Sequence, residues 1–194
     1  MEIKFTIERT VDASKDVCLW NTWDHEHLFY VHQQFNSAKI IHENATSAVM
    51  ETYIKIPFIP KYMRSIHCLF EIADRNVLVI DTMPFGIIAQ VEMIYEIISE
   101  KKTRLINNYN LDVPFFFYPA KPIMKYFIQK WNNINWMEDM PLKLRRQKAV
   151  DLGFRDFRGI VGIEDAPKQI VRLPIPRPKD SIINHGCSDS IAID

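Results

Sequence analysis

The feature that most constrains this chain is a change of period. Between residues 37 and 113 apolar side chains mostly alternate with polar ones, and from Ala120 to about Leu152 the apolar spacing turns helical. A run of short strands followed by one long amphipathic helix predicts an α+β domain. In it the helix packs inside a curved antiparallel sheet of about seven strands.

The strands can be placed from their alternation and from the turns between them. Residues 2–11 set Ile3, Phe5 and Ile7 against Lys4, Thr6 and Glu8, the pattern of a half-buried strand. Asp12-Ala13-Ser14 then offers N-cap chemistry for a short helix through Cys18, Leu19 and Trp20. Residues 37–43 and the alternation from Val49 to Ile56 read as strands about the turn Glu43-Asn44-Ala45-Thr46, with Pro57 and Pro60 interrupting pairing beyond it. Segments 62–73 and 76–82 flank Asp74-Arg75-Asn76, and segments 87–98 and 103–113 flank Ser99-Glu100-Lys101-Lys102; both read as hairpins. Pro114-Phe115-Phe116-Phe117-Tyr118-Pro119 is read either as a loop closing a pocket or as a structural plug.

In the helical segment Phe127, Trp131 and Ile134 fall on one face. Pro141 has no amide proton for the carbonyl four residues back, so a kink or a new helix is expected just after Glu138-Asp139. Lys143, Arg145, Arg146 and Lys148 read as a basic, solvated helix end, with Gly153 as the stop. The domain is therefore drawn as 1–153. Residues 154–194, with Leu173-Pro174-Ile175-Pro176-Arg177-Pro178 at their densest, are expected to form an extended tail without a core of its own.

Chemistry concentrates in Trp23-Asp24-His25-Glu26-His27-Leu28-Phe29-Tyr30-Val31-His32. On a helix Asp24 lies one turn before His27, and His32 lies roughly 140° further round than His27. Two neutral imidazoles could reach one metal from such a segment if its last turn loosens. Asp24 could then hold the other ring nitrogen of a ligand histidine, which makes Asp24 and His27 the catalytic candidates. The alternative is a histidine–aromatic cluster that only caps the core. His25 and His42 are expected to be dispensable.

Composition excludes several classes. Lys and Arg number 24, Asp and Glu 24, so the net charge is zero and no electrostatic footprint for nucleic acid follows. No run approaches the roughly 18 apolar residues of a membrane span. The N-terminal residues read as a strand and not as a leader, and Cys18, Cys68 and Cys187 are too few and too scattered for a disulfide frame. A cytoplasmic location is expected.

The element order, one strand, two short helices, six strands and a long helix, resembles the START/Bet v 1-like (SRPBCC) superfamily, the helix-grip fold, over about residues 2–153. That resemblance implies a cavity between sheet and helix for a hydrophobic small molecule. The pattern Asp24-x-x-His27-x-x-x-x-His32 resembles the iron-binding segment of Rieske-type ring-hydroxylating oxygenases, whose catalytic domain has the same fold. The resemblance implies a mononuclear iron held by His27, His32 and Asp139, with Glu138 in reserve. The chain departs from that family in having no Cys-x-His and Cys-x-x-His pairs, so no Rieske cluster is expected and electrons would come from a separate donor. The function these readings imply is an oxygenase-like enzyme acting on an aromatic or isoprenoid-like substrate. The alternatives are a metal-free cyclase or aromatase, a lipid or small-ligand carrier, and a ligand sensor.

Overall fold

The alternating segments form one sheet. In a computed structural model, residues 2–153 are described except Glu26, Ala45, residues 56–60 and the side chain of Phe29. The order is β1 (Glu2–Val11), α1 (Lys15–Trp23), α2 (His27–Val31), β2 (Phe35–Glu43), β3 (Ser47–Lys55), β4 (Tyr62–Ile72), β5 (Asn76–Met83), β6 (Ile87–Ser99), β7 (Lys102–Asp112) and α3 (Lys121–Asp151). The seven strands lie in the order β1-β7-β6-β5-β4-β3-β2, all antiparallel. The chain thus has a curved antiparallel sheet and a long C-terminal helix, the helix-grip arrangement. The expected tail, 154–194, lies outside the described residues, as do Pro57 and Pro60.

Alternation decides which face is inside. Ile3 and Val11 of β1, Met50 of β3, Leu69 of β4, Val77 of β5 and Leu105 of β7 are buried, while the residues between them point outward or sit at the rim. The two hairpins expected about residues 74–76 and 99–102 are present, with Ile72 opposite Asn76 and Ser99 opposite Lys102. The first needs left-handed backbone at Asp74 and Arg75 (φ 60° and 57°), and aspartate tolerates that conformation better than most residues. Ser14 caps α1 as expected, its hydroxyl accepting from the Val17 N–H at 3.3 Å. Thr103 donates to the Ala13 carbonyl at 2.8 Å, tying the start of α1 to β7.

The core has two parts. One joins α1 (Val17, Cys18, Leu19, Trp23) to the middle of the sheet and to Trp136, Met140 and Val150 of α3. The other gathers Ile3, Ala89, Leu111 and Val113 with Phe117, Met124 and Ile128 at the opposite end. The inner stripe of α3 is therefore Met124, Ile128, Asn132, Trp136, Met140, Lys143, Gln147 and Val150, at three- and four-residue steps. The expected face of Phe127, Trp131 and Ile134 is not the buried one: Ile134 is exposed. The inner face carries polar residues among its apolar ones, which blurs the periodicity that would mark it.

Pro141 sits inside α3, exposed, and the helix is a single element of 31 residues. The Phe-rich segment forms a 3-10 turn from Phe115 to Ala120. Phe117 packs on the core while Phe115 and Phe116 stay exposed. Among the described residues no helix is long and apolar enough to cross a membrane.

Candidate functional site

The histidine segment becomes a helix too short to keep its two end histidines apart. α2 spans only His27–Val31, and His32 follows it in a non-helical conformation. On a continuous helix the two rings would diverge by roughly 140°. Ending the helix at Val31 brings them edge to face, with ring centroids 5.2 Å apart. Both are buried.

α3 supplies the carboxylates. Asp139 Oδ1 lies 3.4 Å from His27 Nε2 and 3.3 Å from His32 Nε2. The three ligand-type atoms lie within 4.8 Å of one another. The other nitrogen of each ring is already engaged. His27 Nδ1 is bonded to the Asp24 carbonyl oxygen, and His32 Nδ1 is 2.9 Å from Glu138 Oε2. These contacts fix both rings with Nε2 turned to the shared point, the device by which metal-ligating histidines are held. Glu138 is thus a partner of His32 and not a member of the converging set.

A layer of cations stands behind the carboxylates. Lys143 Nζ donates to Asp139 Oδ2 at 2.8 Å. Arg146 donates to Asn21 Oδ1 at 2.8 Å and to the Asp24 carboxylate, and stacks over the Trp20 ring at 4.7 Å. The expectation of a solvated basic end is corrected here, because Lys143 and Arg146 are buried at 4% and 8% exposure. The spacing 139, 143, 146 puts all three on one side of α3, and that signal was available in the sequence. The carboxylate of Asp24 is used by Arg146, so Asp24 meets His27 through its main chain.

Charge in the site follows from these contacts. Burial works against the Asp139 carboxylate, but the two imidazoles and the Lys143 ammonium outweigh it and hold its pKa well below the usual carboxylate range. Burial likewise pulls His32 down, and its contacts with Asp139 and Glu138 more than reverse this, leaving it raised. Asp139 Oδ1 is a buried oxygen with no hydrogen-bond partner among the described residues. Lys143 satisfies Oδ2, and Oδ1 faces the two imidazole nitrogens.

The remaining histidines separate clearly. His42 is at the surface beside Asn44. His25 is only 5% exposed, edge-on to Trp23, with both ring nitrogens lacking hydrogen bonds among the described residues. The nearest acid, Glu43, is 3.6 Å away. His25 is therefore a buried core residue, and it stands outside the His27–His32–Asp139 group. The sequence reading also passed over His67 and Asp81, which the β4–β5 register sets opposite each other. They are equidistant from Asp74, so the predicted hairpin carried the signal.

No protein-family model and no curated protein sequence matches this chain. Solved structures do. The Zhui aromatase/cyclase from Streptomyces sp. R1128 superposes with a TM-score of 0.66 at 12% identity, covering 77% of this chain and 98% of that one. Ara h 8.0201 gives 0.58 at 13% identity, covering 75% and 99%. A START superfamily protein from Mycobacterium smegmatis gives 0.54 at 12%, covering 77% and 98%. The fold is that of the START/Bet v 1-like proteins. At these identities the likeness speaks for the fold alone.

Proposed function

We propose that this protein is a small-molecule-binding helix-grip enzyme whose reactive centre is a divalent metal, iron by the resemblance of its histidine segment, held by His27, His32 and Asp139. One observation carries the reading. Two buried imidazoles, each with Nδ1 already anchored, aim Nε2 at a buried carboxylate oxygen that has no other partner among the described residues. Two histidines and one carboxylate suit iron and leave positions free for dioxygen or substrate, which is the chemistry such an ion supplies when bound. The chain's own part is to fix both rings through Nδ1 and to hold Asp139 ionised, with Lys143 at its Oδ2. The ligand is a hydrophobic small molecule, aromatic or isoprenoid-like, and any electrons come from a separate donor protein.

The test is metal content. Protein purified without oxygen and reconstituted with ferrous iron should hold one iron per chain, and His27→Ala should hold none. Equal iron in both proteins removes the reading.

A second reading is supported by the likeness to an aromatase/cyclase along almost its whole chain. In it no metal binds, and His27 and His32 with Asp139 move protons during a cyclisation of the bound ligand. This reading is favoured if reconstitution leaves the wild type without metal.

A further inference from the structure

Away from the histidine–carboxylate cluster, the sheet carries another pair of titratable groups. His67 of β4 and Asp81 of β5 are directly opposite in register, and His67 Nδ1 lies 2.5 Å from Asp81 Oδ1. Both belong to the rows that face α3, in line with Ser65 and Leu69 on β4 and Val77 and Val79 on β5, all buried. Their side chains are 13% and 22% exposed, sheltered but not sealed. A carboxylate at Nδ1 fixes the neutral ring with its proton on that nitrogen. Nε2 is then a lone-pair acceptor, and it has no hydrogen-bond partner among the described residues.

The same interior is short of donors. Tyr109 of β7 accepts from Asn132 of α3 at 2.8 Å. Burial raises its phenol, contacts with Asn132 and Asn107 lower it, and the charges of Asp81 and Arg9 also reach it. In register Tyr109 stands opposite Val91 and Val91 opposite Val79, two residues before Asp81, so these residues face the same interior. In it the amide oxygens of Asn107 and Asn132 are buried without partners among the described residues, and so is the Arg9 Nε. Two unpaired acceptors, an imidazole lone pair and one unpaired donor call for a ligand that mainly donates hydrogen bonds. The stacked rings of Phe5 and Tyr109, 4.8 Å apart, add an aromatic wall.

We propose that His67, oriented by Asp81, is a general base inside the grip that binds a phenolic or enolic hydroxyl of the ligand and takes its proton. The O–H bond breaks and an N–H bond forms at Nε2. The bound ligand becomes phenolate or enolate, the imidazolium is held by Asp81, and the reverse step returns the proton before the ligand leaves. No other reactant is consumed. The proposal shares with the function given above only the premise that the grip holds a small molecule, and it does not need the metal.

The probe is p-nitrophenol, whose phenolate absorbs visible light, added to the full chain below the probe's own pKa. Binding is followed by equilibrium dialysis and protonation by absorbance. Wild type should bind the probe and shift it to phenolate. His67→Gln and Asp81→Asn should bind it with phenolate absorbance no greater than that of free probe. Nitrogen-15 spectra of the wild-type histidines provide a measurement that needs no variant. His67 should carry its proton on Nδ1, and its Nε2 resonance should move when the probe is added. Phenolate that survives in His67→Gln, a wild type that binds only neutral probe or none, or a wild-type proton on Nε2 each overturns the proposal. Metal analysis of the same samples reads the metal centre separately, so either idea can fail alone.

Discussion

Lys143 stands one helical turn beyond Asp139, its ammonium 2.8 Å from Oδ2 and its side chain 5% exposed. A lysine so deeply placed is there for its charge, because its removal leaves a buried anion. Lys143→Met should destabilise the metal-free protein by about 3–5 kcal/mol, the cost of breaking a buried pair by deleting one partner. Ferrous or zinc ion should recover part of that loss, since a cation on Oδ1 supplies the missing charge. Denaturant unfolding with and without metal measures both. A variant as stable as wild type without metal would mean the pair adds nothing.

Metal binding should depend on pH in a direction set by His32. Its raised pKa means that the metal-free ring holds a proton up to a pH above its ordinary value of about 6.5. That proton must leave when Nε2 takes a metal. Affinity should therefore rise as pH climbs past the raised His32 pKa and fall below it. Titrations at several pH values check this, and pH-independent affinity would show that His32 is not a ligand.

His25 offers a pH effect on stability alone. Burial is the main cause that lowers its pKa to about 4, with the His67 charge adding to it. The unfolded ring titrates at about 6.5, so between these values the unfolded chain binds the extra proton. Its contribution is then fully present above about pH 6.5 and is lost as pH falls toward 4, by on the order of 3 kcal/mol. His25→Phe should flatten that part of the stability profile and keep or raise stability at neutral pH, because it replaces a buried ring with unpaired nitrogens. Urea midpoints at pH 7 and pH 5 for both proteins decide it.

Asp24 should separate anchoring from packing. Its carbonyl holds His27, and its carboxylate holds Arg146. Asp24→Asn keeps the carbonyl, so metal affinity should change little while thermal stability drops. A loss of about 10–100-fold in affinity with unchanged stability would instead mark the carboxylate as a partner of the histidine.

The fold was legible because its signals are local. Ile3, Phe5 and Ile7 alternate, Ser14 caps, and the turns at Asp74 and Lys101 bound their hairpins, each readable within a few residues. The face of α3 was not legible by the same means. Asn132, Asp139, Lys143 and Gln147 interrupt its apolar stripe because that stripe lines a polar interior, and hydrophobic spacing then favours Phe127, Trp131 and Ile134. The short reach of α2 was also hidden: nothing in His27-Leu28-Phe29-Tyr30-Val31 announces that the helix ends before His32. The His67–Asp81 pair needed strand register, which becomes visible only after the turn between β4 and β5 is trusted.

β1 lies beside β7, and Thr6 bonds Asn108 across 102 positions of sequence. His32 meets Glu138 across 106. A ribosome making this chain emits the two histidines early, and they must wait for nearly all of the sheet and most of α3 before any carboxylate arrives. Closing such distant contacts is slow, and until then the inner face of the sheet is uncovered. The cluster therefore cannot assemble until α3 has been made. Until then the uncovered inner face leaves the nascent chain exposed to aggregation and to chaperones.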